Sequence, residues 1–157
     1  MTIRDEIKQN RPFGSAAEEA AVALLRTADV VRRSATAVVE GHGITLQQYN
    51  VLRILRGAGE EGLPTLDIAD RMIEETPGIT RLIDRLETKK LVRRKRCPKD
   101  RRRVFCIITT GGLELLSQLD APIAAANAAT LQTLAKDDLE QLLELLDKTR
   151  NAYRRTA

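Results

Sequence analysis

Ten Lys and Arg lie within residues 89–103, with Asp100 the only acid among them, and residues 104–108 carry no charge at all. Cations packed this densely repel one another unless a polyanion accepts several at once. Residues 76–103 hold twelve Lys and Arg against Asp84, Glu87 and Asp100, a net of +9 that leaves −5 for the rest of a chain of formal charge +4. One basic segment on an acidic body is the charge pattern of a nucleic-acid binder. A membrane surface fits less well, because the segment lacks the long amphipathic helix such binding favours.

Groups for covalent or metal chemistry are sparse. His42 is the single histidine, set between two glycines, so a helix-end or loop role is expected and neither a metal site nor a nucleophile–base pair is. No enzyme activity and no cofactor are expected. Cys97 stands among Arg94, Lys95, Arg96 and Lys99. Such cations lower a thiol pKa, which opens a redox-switch reading beside that of a tolerated small turn residue. Cys106 falls in the apolar run and is expected in the core. "GAGEEG" at 57–62 matches G-x-G-x-x-G by letter. It follows a helix-like segment, opens no helix and puts two carboxylates where phosphate would sit, so a plain connection is expected.

The whole chain sets the frame for these groups. Its 157 residues suffice for one domain with appended helices. Aromatics are only 3 %, so any small-molecule pocket should be lined mainly by aliphatic groups. No apolar run reaches the roughly 18 residues of a membrane span, and residues 1–14 are too polar for a signal peptide. The two cysteines make no disulfide framework, which points to a reducing cytoplasm.

Periodicity and capping then place the elements. Ser15 and Glu18 form a capping-box pattern before a long helix over 15–39, ended by Gly41 and Gly43. Thr45 and Gln48 repeat it before a helix ending at Gly57. Residues 63–65 predict a short extended segment, with Thr65 capping a brief helix that holds Leu66, Ile68, Ala69 and Met72. After a short gap, Thr76 as N-cap and Pro77 as N1 start a helix whose Ile79, Leu82, Ile83 and Leu86 form the buried stripe. Gly78, Thr80, Arg81, Asp84, Arg85 and Thr88 are left facing outward. "VRRKR" and "RVFCII" around "CPKDRR" predict a β-hairpin. After Gly111 and Gly112 comes a helix that Pro122 should kink or break. A last helix, roughly 136–155, carries the stripe Leu139, Leu142, Leu143 and Leu146.

A short helix, a turn, a capped helix and a cation-tipped hairpin make a winged helix-turn-helix. Thr76, Gly78 and Thr80 offer a major groove small side chains at the second helix's start, letting its backbone approach closely. Arg81 and Arg85, one turn apart, can reach base edges or phosphates, or can pair with Asp84. Lys99, Arg101, Arg102 and Arg103 sit at the hairpin turn, where a minor groove attracts guanidinium groups. Asp100 is expected to accept a hydrogen bond from a neighbouring Arg and fix its fork.

Here the chain resembles the MarR family of transcriptional regulators. Asp100, Arg102, Ile108, Thr109 and Gly112 follow the family's D-x-R-x5-L-T-x-x-G pattern, with Ile in place of Leu at 108. "TPGITRLIDRLETKKLVRR" is similar to its recognition helix and exit, where a small residue is commoner than Lys90. The resemblance covers about residues 20–155. It implies a mainly α fold with a small β-hairpin wing: a winged helix-turn-helix at 45–112, flanked by dimerisation regions at 1–44 and 113–157. It also implies an interlocked homodimer on a pseudo-palindromic operator in double-stranded DNA. Most members are repressors, and many release DNA when a small, often phenolic, effector or an oxidant acts near the hinge between lobes. The N-terminal-helix cysteine through which some relatives sense oxidants is absent from this chain. Arg26, Arg32 and Arg33 could supply a cation to an anionic effector or simply face solvent. Independently of the resemblance, the terminal helices carry more apolar stripe than one small winged core can cover. The competing reading is a winged-helix protein-interaction module without specific DNA binding.

Overall fold

The computed structural model describes residues 1–96 and 104–154, with side chains described to residue 152. Its elements in chain order are α1 (Ile3–Glu6), α2 (Ala16–Glu40), α3 (Leu46–Ala58), β1 (Leu63–Pro64), α4 (Thr65–Ala69), α5 (Ile79–Thr88), β2 (Val92–Arg96), β3 (Val104–Ile108), α6 (Thr110–Leu131) and α7 (Lys136–Arg154).

Local signals set most boundaries. The Ser15 hydroxyl accepts from the Glu18 N–H at 3.2 Å, while the Glu18 carboxylate reaches one residue further back, to the Gly14 N–H at 2.7 Å. Thr45 and Gln48 complete a reciprocal capping box at 3.0 and 3.2 Å. The α3 helix runs one residue past Gly57, and Gly59, with φ at +66°, ends it. The His42 ring lies at the end of α2, 3.1 Å from the Val38 carbonyl.

The sheet has the order β1-β3-β2, antiparallel throughout. Leu63 pairs with Cys106 and Pro64 with Phe105, so the chain stays extended through Pro64. For that reason Pro64, not Thr65, is the N-cap of α4, and Thr65 enters the helix. Met72 lies beyond α4, and the connection to α5 is longer than expected, covering residues 70–78. Gly62 has φ at +68°, and a Cβ there would press on the Cys106 carbonyl and come within 2.6 Å of Ile107 Cγ1. The last glycine of "GAGEEG" thus serves a close approach of β1 to β3.

Leu52, Leu55, Ile68, Ile83, Leu86, Leu116 and Leu119 are fully buried and join α3, α4, α5 and α6 in one core, closed on the sheet side by Val92 and Cys106. Cys106 is core as expected, and burial pushes its thiol pKa up. The α6 helix begins at Thr110 with Gly111 and Gly112 in its first turn, and it is not broken at Pro122. Gln118 and Pro122 are both exposed, so water can take the carbonyl that the proline leaves without a donor. Leu119 and Ile123, buried on either side, hold the helix to the core.

The terminal helices are the exception to burial. In the 25 residues of α2 only Val39 is buried, and no described side chain of α7 is. Leu25 is 74 %, Leu143 62 % and Leu145 53 % exposed.

Candidate nucleic-acid interface

The α5 helix buries Ile79, Leu82, Ile83 and Leu86, as its periodicity predicts. Its opposite face presents Thr80, Arg81, Asp84, Arg85 and Thr88 to solvent. The start of α5 differs from expectation. Thr76 does not cap it: its hydroxyl donates to the Glu74 carbonyl at 2.9 Å. Gly78 is the N-cap instead, in left-handed geometry at φ +91°, with no side-chain capping bond. Nothing lies within 4 Å of where its Cβ would be, so the backbone angle, not crowding, favours glycine there.

Thr76, Gly78, Arg81 and Arg85 line a groove of about 200 Å³ with Pro77 and Gln47. Gln47, from the first turn of α3, was not anticipated as a site residue. It neighbours Gln48, which the capping box holds buried, whereas Gln47 is exposed. Neither Arg81 nor Arg85 has an ion-pair partner among the described residues. The carboxylate that Arg81 or Arg85 could have engaged, Asp84, is taken by Arg94 of β2 at 2.6 Å. Arg94 also donates to Glu87 at 2.5 Å from its side chain and at 3.2 Å from its backbone N–H. Sequence reasoning counted Arg94 only as one more cation of the basic run.

The passage from α5 to β2 is tightly specified. Leu91 N–H donates to Leu86 O at 3.0 Å and Lys90 N–H to Glu87 O at 2.8 Å, which is a Schellman closure. It puts Lys90 in the left-handed region, φ +59°. Lys89 Nζ donates to the Gly43 carbonyl at 2.8 Å, linking the exit of α5 to the loop after α2. The Thr109 hydroxyl donates to the Lys90 carbonyl at 2.7 Å and accepts from the Gly112 N–H at 3.1 Å, and the Thr109 N–H donates to Leu91 O at 3.0 Å. A Cβ on Gly112 would stand 2.5 Å from Leu91 O. Thr109 and Gly112 of the T-x-x-G pattern are therefore the two residues that let α6 start against this exit.

The hairpin forms in the predicted strands, with Val92 opposite Ile108 and Arg96 opposite Val104. Arg93, Lys95 and Arg96 are exposed. Lys99, Asp100, Arg101, Arg102 and Arg103, together with Cys97, fall outside the described residues.

Residues 44–104 match the family model described as MarR family. The HTH-type transcriptional regulator MhqR of Bacillus subtilis (strain 168) is 31 % identical over 110 residues, 70 % of this chain and 74 % of MhqR. A MarR transcription factor from Planctomyces limnophilus is 40 % identical, and its crystal structure aligns at a TM-score of 0.67 over 87 % of this chain and 98 % of that one. The chain belongs to the MarR family. Its mainly helical architecture with a three-stranded sheet is the winged helix of these transcriptional regulators. A further fold match, at 24 % identity and a TM-score of 0.76 over 84 % of this chain and 96 % of its own, is Staphylococcus aureus MepR in a complex with DNA.

Proposed function

We propose that this MarR-family regulator binds a pseudo-palindromic operator in double-stranded DNA as a homodimer and represses transcription from it in the cytoplasm. The observation that carries the reading is the exposed face of α5. Arg81 and Arg85 are presented there without an ion-pair partner among the described residues, on a helix ion-paired to the strand that precedes the cations at 99–103. In this reading Thr80, Arg81 and Arg85 address the major groove. Thr76, Gly78 and Gln47 bring backbone and small polar groups to the phosphates at its edge. Lys99, Arg101, Arg102 and Arg103 reach the neighbouring minor groove, with Asp100 orienting one of their forks. The solved complex of MepR with DNA supports the assignment by fold.

The uncovered faces of α2 and α7 support the dimer, since exposed Leu25, Leu143 and Leu145 need a partner surface. Residues 1–44 and 113–157 then act as the dimerisation regions and 45–112 as the DNA-binding domain. Two-fold symmetry sets the paired α5 helices about 34 Å apart, one duplex turn. Between α2, α3 and the 70–78 connection lies a cavity of about 290 Å³ whose lining includes Arg32, Thr36, Asn50, Met72, Ile73 and Glu74. Arg32 stands 3.6 Å from Glu74 across it. Arg32 also pairs with Asp29 at 2.8 Å, so an anionic effector would take this cation by displacing carboxylates, and the size suits such an effector, or a small phenolic one, that releases the operator. Arg26 and Arg33 pair with Glu6 and Asp29 and are not part of this lining.

Selection of bound fragments from a genomic library, followed by salt titration, tests the reading. A recovered palindrome bound far more tightly than random duplex, with log K falling with log salt at a slope of about −0.9 per phosphate neutralised, is expected. A protein-interaction module would show little DNA affinity. Substitution of Thr80 or Arg81 should alter the selected consensus; an unchanged consensus makes α5 a positioning element only. Arg102→Ala should weaken binding to every duplex, the operator most.

A further inference from the structure

We propose that Arg94 is not a DNA contact but the internal counterion of the recognition helix: it pairs with both Asp84 and Glu87 and fixes the wing strand to α5 so that both engage one duplex. The proposal rests on the DNA-binding reading above and assigns a positioning role within it.

Of the cations on β2, Arg93, Lys95 and Arg96 are exposed, whereas Arg94 is half-buried. Its guanidinium is committed to two carboxylates, Asp84 at 2.6 Å and Glu87 at 2.5 Å. These acids are three residues apart on α5 and so neighbour each other on the helix surface, where one planar fork can span both. The Arg94 backbone N–H adds a third bond to Glu87 at 3.2 Å. Strand and helix are thus joined by both main chain and side chain at one residue.

The charge argument points the same way. Asp84 lies on the exposed face of α5, next in sequence to Arg85 and one turn from Arg81. A bare carboxylate there would draw those arginines inward and repel phosphate. With Arg94 on it, Arg81 and Arg85 keep no partner among the described residues and stay available. One member of the basic run therefore acts by silencing the acids beside it. An ammonium could answer one of the carboxylates but lacks the fork that answers both, so Lys is a poor substitute.

A double-mutant cycle on operator affinity tests this. Arg94→Met is made in the wild-type protein and in an Asp84→Asn, Glu87→Gln background, with folding of each variant checked by circular dichroism. The expected result is a loss of about tenfold in the wild-type background, shrinking to about twofold once both carboxylates are neutral. The salt slope of the Asp84→Asn, Glu87→Gln protein should stay unchanged on adding Arg94→Met. Arg94→Lys, which keeps the charge, should fall between wild type and Arg94→Met, and serves as the readout if Arg94→Met fails to fold. An equal loss in both backgrounds, with the slope reduced by about 0.9, makes Arg94 a phosphate contact and overturns the proposal. An absence of loss in the wild-type background overturns it as well. A wild-type protein that prefers no duplex sinks the DNA-binding reading itself, whereas a lost background dependence with intact operator binding sinks this proposal alone.

Discussion

The contact between the start of α6 and the exit of α5 yields a contrast between adjacent glycines. A Cβ on Gly112 would stand 2.5 Å from Leu91 O and 2.7 Å from Ile108 Cγ1. The carbonyl contact is about 0.9 Å short of the 3.4 Å at which ordinary contact begins, and a main-chain oxygen cannot swing aside as a side-chain end can. Overpacking of this kind costs about 1–3 kcal/mol, and a rigid obstacle places Gly112→Ala at the upper end. Against it stands the helical preference of Ala over Gly, about 1 kcal/mol. The net loss is about 2 kcal/mol, or about 4–8 °C in Tm for a chain of this size. At Gly111 the nearest atoms to an added Cβ, Lys90 O and Thr109 Oγ1, are both 3.8 Å away. Gly111→Ala should therefore be neutral or raise Tm by up to about 4 °C. Thermal melts at one fixed protein concentration provide the comparison, because a dimer's Tm depends on concentration. Leu91 leads directly into β2, so Gly112→Ala should also weaken operator binding while Gly111→Ala does not. A Gly112→Ala protein as stable as Gly111→Ala would refute the close approach and this account of the T-x-x-G pattern.

Three further outcomes rest on the fold. Lys90→Gly should stabilise by about 0.5–1 kcal/mol, seen as a higher urea midpoint at unchanged m, because Lys90 holds φ +59° at the end of α5. In a Cys97→Ser protein, Cys106 should resist a thiol reagent until the chain unfolds, since it is fully buried and burial raises its pKa; rapid native-state labelling would contradict this. Arg56 binds Asp120 at 2.8 and 3.1 Å and holds its pKa below the ordinary 3.8, so the ion pair stabilises above that value and is lost as pH falls through the lowered one. The stability deficit of Asp120→Asn at neutral pH should accordingly vanish in acid, and a pH-independent deficit would exclude the pair as its cause.

What could be recognised before the structure was whatever depends on residues within about one helical turn. The Ser15 and Thr45 caps, the Ile79–Leu82–Ile83–Leu86 stripe, both hairpin strands and the surplus apolar stripe of the terminal helices are of this kind. Each reflects the 3.6- or 2-residue period or a side chain reaching its own backbone. The same local logic put N-caps at Thr65 and Thr76 and failed at both. Pairing of Pro64 with Phe105 carries the extended chain one residue further, and Thr76 turns its hydroxyl back to Glu74. The charge run and the D-x-R-x5-L-T-x-x-G pattern pointed to the winged helix, but not to the part each cation plays. That Arg94 faces inward while Arg81 and Arg85 keep no ion-pair partner among the described residues follows from the packing of β2 beside α5. That Gln47 joins the groove follows from α3 meeting the start of α5, and that Gly62 and Gly112 cannot carry a Cβ follows from backbones far apart in the chain coming together. Periodicity encodes which face of an element is buried; only its neighbours in space decide which polar groups on the other face are left free to bind.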